Sequence, residues 1–244
     1  MSDKVALITG GARGIGRAVA LDLAGRGWSV ALCYRTSATE AAEVIAGVRQ
    51  KGARGLAVQC DVSDPKAAAD LVRSAERELG HIDALINCAG PYHRVSLLEE
   101  SVESWHSMFD NNLHPVFYLS QAVIPGMRQR KWGRIVCFSM ANSEQLIAQP
   151  QLTGHYIAKV GLVILMRSLA RLVAPHGITA NCIAPGFLDS GSAPKEELDR
   201  MVKMIPAGYV GSVEDAVSAV RFLLSDEARY INGANIPLSG AWGI

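Results

Sequence analysis

The sequence has almost no net charge, and this excludes several classes of partner. Its 24 lysines and arginines are balanced by 23 aspartates and glutamates, which leaves a formal net charge of +1 over 244 residues. A protein that binds nucleic acid or a membrane surface electrostatically needs a basic excess, so we expect neither partner. The composition is 49% hydrophobic and only 19% charged, and it predicts a folded chain with a large core.

Cysteine and histidine are scarce, and neither is grouped along the chain. The five cysteines form no CxxC pair, and the six histidines show no HxxxH or HExxH spacing. We therefore predict no metal site. The cysteines all fall in or beside apolar runs, and we expect buried thiols in a reducing compartment.

Long uninterrupted hydrophobic runs are also missing. The most apolar long stretch, residues 156–174, is interrupted by Lys159, Arg167 and Arg171, and is too charged to span a bilayer. The first residues, MSDKVALITGG, enter a strand-like run directly and lack the features of a secretory leader. The expected location is the cytoplasm.

Short apolar runs alternate with longer amphipathic segments from end to end. Strands are predicted at Val5–Thr9, Ser29–Tyr34, Gly55–Cys60, Ala84–Asn87, Arg134–Phe138, Thr179–Ile183 and Ile236–Leu238. Helices are predicted at Gly14–Arg26, Thr39–Lys51, Pro65–Leu79, Val102–Arg130, Gly154–Ala174 and Val213–Ser225. The apolar strands indicate a parallel sheet buried on both faces. We predict one α/β domain over residues 1–244, a Rossmann-type doubly wound parallel sheet of about seven strands with helices on both faces.

Proline and glycine mark several of the predicted boundaries. Asp64 before Pro65 is typical of a helix start, and Pro175 with Gly177 predicts the end of the fifth helix. Pro115 lies inside the fourth predicted helix, so we expect a kink close to Asn112.

The first predicted strand runs into a glycine-rich turn, Thr9-Gly10-Gly11-Ala12-Arg13-Gly14-Ile15-Gly16, before a helix. Glycines at this place let the backbone turn sharply and approach a pyrophosphate, which then lies on the helix N-terminus. A glycine triplet alone is a weak signal, but its position between a strand and a helix predicts a dinucleotide site.

The end of the second strand distinguishes NADP(H) from NAD(H). An NAD site usually has an acidic residue there for the ribose 2′-hydroxyl, but this chain reads Cys33-Tyr34-Arg35-Thr36-Ser37. Arg35, together with Arg13 from the glycine turn, would pair with a 2′-phosphate. We favour NADP(H); the alternative is that both arginines are only solvated.

Tyr156 and Lys159 lie three residues apart on a predicted helix and therefore share a face. An ammonium group within a few ångströms stabilises a phenolate, so such a tyrosine can exchange a proton with a carbonyl oxygen near neutral pH. The pair predicts an acid–base site, although two unrelated helix residues show this spacing often by chance.

With the motifs around this pair, the chain resembles the short-chain dehydrogenase/reductase family over essentially all 244 residues. It has TGGARGIG at 9–16, CDV at 60–62, NCAG at 87–90, an Asn-Leu pair at 112–113, YIAK at 156–159 and NCIAPGFLDS at 181–190, in the family's order and spacing. The segments GRI at 133–135, GIT at 177–179 and the closing NIPLSGAWG are similar to those of the 3-oxoacyl-acyl-carrier-protein reductases.

The resemblance implies roles for individual residues. Tyr156 would donate the proton, Lys159 would also hold the nicotinamide ribose, and Asn112 would bind a water that relays protons to Lys159. The cofactor would contact the residues already named at the first two strand ends, namely Gly10, Arg13, Gly14, Ile15, Gly16 and Arg35. Its adenine would contact Asp61 and Val62, and Asn87, Ala89 and Gly90 would line the adenosine ribose and the back wall. Its nicotinamide carboxamide would contact Pro185, Gly186, Leu188 and Ser190.

One position departs from the family pattern. Where the family usually has a serine that polarises the substrate carbonyl, this chain has Met140, and Ser139 falls one residue early and is expected to face away. Ser143 lies thirteen residues before Tyr156, the usual spacing, and is the candidate substitute, with Thr153 and His155 as weaker ones. The alternative is that Ser143 is a solvated loop residue.

The substrate pocket is expected to be built from residues 91–97, 140–153 and 187–210, with apolar character from Tyr92, Leu146, Ile147, Leu152, Phe187 and Met204. A basic cluster at Arg128, Arg130 and Lys131 is either a carrier-protein docking surface or a solvated helix end. The helix over residues 154–174 is apolar almost all round, which predicts a homodimer or homotetramer unless the chain's own loops cover it.

We therefore expect an NADP(H)-dependent oxidoreductase that reduces a ketone or aldehyde to an alcohol by hydride transfer, a 3-oxoacyl thioester being one candidate substrate. The alternative is a catalytically weak protein of the same fold that binds the cofactor in a regulatory or scaffold role. Met140 in place of the serine motivates this alternative, and the intact set of Tyr156, Lys159 and Asn112 argues against it.

Overall fold

The computed structural model describes residues 4–189 and 195–244, which form an α/β fold around a parallel sheet. The strands are β1 Val5–Thr9, β2 Ser29–Tyr34, β3 Gly55–Gln59, β4 Ala84–Asn87, β5 Gly133–Phe138, β6 Ile178–Pro185, β7 Leu188–Asp189, β8 Gly211–Ser212 and β9 Asn235–Leu238. Seven of them form one sheet in the order β3-β2-β1-β4-β5-β6-β9, and β7 pairs only with β8. The predicted doubly wound sheet is confirmed.

The helices are α1 Gly14–Gly25, α2 Ala38–Gln50, α3 Pro65–Leu79, α4 Val102–Asn112, α5 His114–Arg130, α6 Thr153–Val173, α7 Lys195–Val202 and α8 Val213–Leu224. Local chemistry explains several starts. The Asp64 carboxylate accepts hydrogen bonds from the backbone of Lys66 and Ala67 at the start of α3. Ser212 and Asp215 form a reciprocal capping box at the start of α8.

Two apolar cores lie on the two faces of the sheet, and alternate residues of each strand enter them. In β1, Val5 and Leu7 belong to the core covered by α3, α5 and α6, whereas Ala6 and Ile8 belong to the core covered by α1, α2 and α8. Each fully buried leucine or isoleucine side chain contributes about 1.5–3 kcal/mol. Because both faces are buried, the strands show apolar runs without polar alternation.

The prediction of one helix over Val102–Arg130 was wrong, since the helix breaks at Leu113. Pro115 lies in the first turn of α5, where its missing N–H needs no partner. The break falls beside Asn112, where the sequence predicted a kink. It leaves the Asn112 side chain free to donate a hydrogen bond to the Pro91 carbonyl oxygen, 3.1 Å away.

The helix α7 and the short pair of β7 and β8 were not predicted. The pair aligns Leu188 with Gly211 and Asp189 with Ser212, and two-residue strands are too short to show a periodicity. Within the residues that the structure describes, no helix combines the length and apolarity needed to cross a bilayer.

Candidate active site

The predicted site residues follow the carboxyl ends of the parallel strands. Gly10 follows β1, Asp61 follows β3, Ala89 and Gly90 follow β4, and Gly186 follows β6. In a parallel sheet these ends lie at one edge, where the order of the strands reverses and a crevice opens. The fold therefore brings residues distant in the sequence to one place.

The turn between β1 and α1 requires glycine at several positions. Gly10 and Gly14 have left-handed backbone φ angles of +62° and +52°. A Cβ atom on Gly16 would lie 2.4 Å from the Gly10 carbonyl oxygen, and one on Gly11 would lie 2.6 Å from Leu32 Cβ. Arg13 precedes the helix without a side-chain capping bond, so the first N–H groups of α1 are available to an anion.

An open groove of about 610 Å³ continues from this turn across the ends of the neighbouring strands. Its lining includes the predicted residues Gly10, Arg13, Arg35, Asp61, Val62, Ala89 and Gly90. A second cavity of about 450 Å³ on the other side of the turn is lined by residues that include Gly14, Ile15, Gly16 and Leu188. The glycine turn lies between the two cavities, as binding the pyrophosphate of a dinucleotide requires.

Arg13 and Arg35 lie at the mouth of this groove. Arg13 Nε donates to Ser37 Oγ at 2.8 Å and lies 3.4 Å from a Glu40 carboxylate oxygen. Arg35 donates to Asn111 Oδ1 at 3.2 Å, and its guanidinium lies 3.9 Å from the Asp61 carboxylate. Both arginine side chains are more than half exposed, so their remaining N–H groups are accessible to a ligand.

Asp61 is fixed by its own turn. Its carboxylate accepts hydrogen bonds from the hydroxyl and the backbone N–H of Ser63, at 2.7 and 3.0 Å. These bonds, helped by Arg35, lower the pKa of Asp61 below its ordinary value although partial burial opposes the shift. Asp61 therefore presents an ionised acceptor to the groove.

The ends of β1 and β4 are joined at the floor of the groove. The Ala89 N–H donates to Thr9 Oγ1 at 3.1 Å. Asn87 is buried, and its side-chain oxygen has no protein partner. Asn87 does not line either cavity, and an unpaired buried polar atom of this kind fits a partner such as an ordered water.

The buried groups Asn112 and Lys159 meet at Gly90. A Cβ atom there would lie 2.5 Å from Asn112 Oδ1 and 3.5 Å from Lys159 Nζ, so no larger residue fits. Asn112 Oδ1 has no protein partner. Lys159 Nζ donates to the Phe138 carbonyl oxygen at 2.8 Å, and burial lowers the pKa of Lys159 below its ordinary value.

Tyr156 lies one helical turn before Lys159, and its side chain is buried. Its hydroxyl donates to the Asn142 carbonyl oxygen at 2.8 Å and accepts from the Ile147 N–H at 3.3 Å. The segment between β5 and α6 thus covers the phenol. The motif spacing in the sequence does not predict this cover. Asn142 and Leu146 adopt left-handed φ angles of 62° and 52° in this segment.

The hydroxyl groups considered as substitutes for the missing serine are engaged by the protein. Ser143 is buried, and its Oγ accepts a hydrogen bond from Asn235 Nδ2 at 3.2 Å. Ser139 Oγ lies 2.6 Å from Asn235 Oδ1 and 3.2 Å from the Ile183 carbonyl oxygen. Thr153 Oγ1 donates to the Gln149 carbonyl oxygen at 2.9 Å. Met140, by contrast, lines a cavity separate from the groove beside the glycine turn.

This cavity has a volume of about 630 Å³ and is the candidate substrate cavity. Four of the residues expected in the substrate pocket line it, namely Tyr92, Leu152, Phe187 and Met204. Leu146 and Ile147 do not; they line a separate cavity of about 260 Å³ beside Tyr156. Met201 and Glu197 also line it and belong to the predicted segment 187–210. Trp242 was not predicted, because nothing in the sequence pattern brings the last residues of the chain to this site.

His155, one of the two weaker candidates from the sequence, lines the same cavity. Its ring meets Tyr92 edge to face, with the ring centroids 5.3 Å apart. Burial, together with the charge of Lys159, lowers the pKa of His155 to about 4. The side chain is therefore a neutral imidazole at physiological pH.

The segment after β6 reaches both cavities. Pro185, Gly186 and Leu188 line the substrate cavity, and Leu188 also faces the glycine turn. A Cβ atom on Gly186 would lie 2.9 Å from Ser239 Cβ, so the chain passes closely here. Ser190 lies outside the described residues. Among the described residues, no group of three potential ligand side chains is arranged for a metal ion.

Comparison with known proteins gives a consistent picture. A family model described as enoyl-(acyl carrier protein) reductase matches residues 10–241. The chain is 34% identical over 240 residues to the 3-oxoacyl-acyl-carrier-protein reductase FabG of Staphylococcus aureus, covering 97% of each chain. It is 35% identical over 246 residues to the FabG of Escherichia coli K12, covering 97% of this chain and 96% of that one.

Solved structures agree with the sequence comparison. A crystal structure from Sinorhizobium meliloti 1021, provisionally described as a short-chain alcohol dehydrogenase, superposes with a TM-score of 0.91. The match covers 99% of this chain and 97% of that one at 32% sequence identity. The fold is therefore similar to that of this protein over nearly the whole length of both chains.

Proposed function

Because the chain belongs to the short-chain dehydrogenase/reductase family of oxidoreductases, we propose that residues 1–244 act as one domain that reduces a ketone or aldehyde to an alcohol with NADP(H). The observation that carries the proposal is the convergence of Tyr156, Lys159 and Asn112 at the carboxyl edge of the sheet. Asn112 and Lys159 approach Gly90, which lines the groove beside the glycine turn, and Tyr156 lines the small cavity beside Ile147.

Each of the three residues has a distinct part in the proposed reaction. A bound nicotinamide supplies the hydride for the carbonyl carbon. Tyr156 donates a proton to the carbonyl oxygen. The buried ammonium of Lys159 stabilises the phenolate that remains, and the unpaired oxygen of Asn112 is available to a water that returns a proton to Lys159.

The cofactor groove is suited to a dinucleotide with a 2′-phosphate. Arg13 and Arg35 place two exposed guanidinium groups at its mouth, and the end of β2 offers no acidic residue to a ribose hydroxyl. Glu40 and Asp61 offset part of this charge. We expect Arg35→Ala to raise the dissociation constant of NADPH by about tenfold and that of NADH little, since an ion-paired hydrogen bond is worth about 1.5–3 kcal/mol.

Further properties follow from the same proposal. The substrate is a small carbonyl compound, and the relatives' name makes a 3-oxoacyl thioester one candidate. All five cysteines are free thiols, even Cys137 and Cys182 with sulfurs 3.2 Å apart, which favours a reducing, cytoplasmic compartment.

The outer face of α6 supports a homodimer or homotetramer. Ile157, Ile164 and Leu172 are exposed at 44%, 62% and 64% along this helix, and Phe117 of α5 is also exposed. Exposed apolar side chains in such number are typical of an interface. We propose that a second copy of the chain covers them. Light scattering on the purified protein distinguishes a monomer, which would contradict this, from a dimer or tetramer.

Replacing Tyr156 with phenylalanine tests the proposed reaction. Turnover should fall at least about 100-fold, because general acid catalysis contributes about 10²–10⁴-fold, while NADPH binding stays nearly unchanged. Turnover that survives the substitution would refute the role of Tyr156. Tight NADPH binding by the parent protein without oxidation across a broad panel of carbonyl compounds would instead favour the regulatory or scaffold role.

A further inference from the structure

Two aromatic contacts line the substrate cavity. The rings of Phe187 and Trp242 lie 4.6 Å apart at 48°, and those of Tyr92 and His155 lie 5.3 Å apart at 87°. These four residues come from four different segments of the chain. Ring faces and edges of this kind bind a flat aromatic molecule through stacking and edge-to-face contacts.

Trp242 is held at the cavity by a specific backbone path. Gly240 and Gly243 on either side of it have left-handed φ angles of 59° and 70°, and the Trp242 N–H donates to the Ser239 carbonyl oxygen at 3.1 Å. A Cβ atom on Gly186 would lie 3.4 Å from the indole ring. The indole therefore packs against the segment that the proposed function places at the nicotinamide.

Methionine side chains form much of the remaining lining, beside the polar side chains of Arg94, Gln149 and Glu197. Met140, Met201 and Met204 line the same cavity, and thioether sulfurs make favourable contacts with aromatic rings. Among the described lining residues, Ser139 is the only serine or threonine, and its hydroxyl is engaged with Asn235 and Ile183. No serine or threonine in the described lining is therefore free to polarise a substrate carbonyl, and a carbonyl that is already electrophilic reacts best there.

The charges argue for a small uncharged substrate rather than a carrier-bound one. Arg94 and Glu197 both line the cavity and offset each other. In the basic cluster after α5, Arg130 lies 3.5 Å from the carboxylate of Asp83, directly before β4. That position is the amino end of the sheet, whereas the cavity lies at the carboxyl ends. A carrier protein docked on the cluster would not face the cavity.

We propose that the cavity selects a compact, planar aromatic compound with two adjacent carbonyl groups, and that Trp242 is a specificity-determining residue for it. This inference rests on the proposed function. One carbonyl carbon receives the hydride with its electron pair, the electrons of the C=O π bond move to the oxygen, and that oxygen takes the proton of Tyr156. One carbonyl becomes a secondary alcohol, and the nicotinamide cofactor is oxidised by two electrons.

Four probes separate the features of such a substrate. Isatin has an aromatic ring and adjacent carbonyls, acetophenone has only the ring, and diacetyl has only the adjacent carbonyls. The acetoacetyl thioester of N-acetylcysteamine represents the substrate class in the relatives' name. Formation of the oxidised cofactor is measured chromatographically, with NADPH and NADH in parallel. We expect kcat/KM for isatin to exceed each of the others by at least about tenfold, as differences of one pocket contact typically do.

The four rates distinguish a failure of the proposed function from a failure of this inference alone. If none of the four probes is reduced, the proposed function is overturned, and this inference with it. If diacetyl or the thioester is reduced as well as isatin or better, the proposed function stands and the inference is overturned.

Variants at Trp242 test its part in this selection. Trp242→Ala should raise KM for isatin by about tenfold and change kcat/KM for diacetyl by less than about twofold. Trp242→Phe keeps an aromatic ring, so its KM for isatin should return most of the way to that of the parent protein. Tyr230→Ala, at an aromatic residue that is 98% exposed, is the control and should change neither. An equal loss for isatin and diacetyl in Trp242→Ala would show a purely structural role and overturn the assignment.

Discussion

Replacing His155 with glutamine should make the protein less sensitive to acid. His155 is 7% exposed, and burial followed by the charge of Lys159 lowers its pKa from 6.5 to about 4. In the unfolded chain the imidazole titrates near its ordinary value. Between these two values the unfolded state binds a proton that the folded state does not.

The sign and the size of the effect follow from this difference. Because the unfolded state binds more protons in this window, the free energy of unfolding falls as the pH falls from about 6.5 to about 4. The pKa of His155 is lowered from 6.5 to about 4. At about 1.4 kcal/mol per pKa unit, this lowers the free energy of unfolding by about 3 kcal/mol at the acidic end of the window. Above neutral pH the contribution of His155 to the free energy of unfolding does not change with pH.

Urea denaturation at a series of pH values measures this loss. The parent protein and His155→Gln are both measured between neutral pH and pH 4. Over this range the free energy of unfolding of the parent protein should fall by about 3 kcal/mol more than that of the variant. His106→Gln, which removes an exposed histidine from α4, is the control for the loss of any histidine. A difference that stays constant with pH would refute a neutral buried imidazole at this site.

Two further predictions concern the cofactor turn and a helix start. Gly16→Ala should weaken NADPH binding by at least about tenfold, because its Cβ would lie 2.4 Å from the Gly10 carbonyl oxygen and force the turn apart. The control is Gly25→Ala, whose Cβ would meet only the Lys51 side chain at 3.8 Å and which should leave binding unchanged. A fluorescence titration measures NADPH binding by both variants. Ser212→Ala should lower the free energy of unfolding by about 1 kcal/mol, since it removes the capping box of α8; a urea midpoint equal to that of the parent protein would contradict this.

The sequence predicted the sheet well because burial on both faces leaves a strong signal. Every residue of β1 is buried, and six of the seven sheet strands were placed within one residue at both ends. The turn at residues 10–16 was equally readable, since steric limits at Gly11 and Gly16 leave glycine no substitute. At Gly16 the limiting contact is with the Gly10 carbonyl oxygen, so this requirement for glycine arises within one short segment of the sequence.

The substrate side could not be predicted to the same degree, because its contacts join distant segments. Trp242 contacts Phe187, 55 positions earlier in the sequence, only because the path around Gly240 and Gly243 folds the chain end back. Leu146 and Ile147, apolar and close to Tyr156 in sequence, line a different cavity because left-handed φ at Asn142 and Leu146 redirects the loop. Apolar character predicts burial, but it does not predict which cavity a side chain enters.

The segment from Phe138 to Ile147 controls both proton-carrying groups of the site. Its Phe138 carbonyl accepts from Lys159, and its Asn142 carbonyl accepts from the Tyr156 hydroxyl. The segment is in turn tied to β6 by the Ala141 N–H, which donates to the Pro185 carbonyl oxygen at 2.9 Å. In the proposed reaction a substrate carbonyl oxygen takes the place of the Asn142 oxygen as the acceptor for Tyr156. One hydrogen bond replaces another, so the phenol can be redirected to substrate without a net loss of hydrogen bonding.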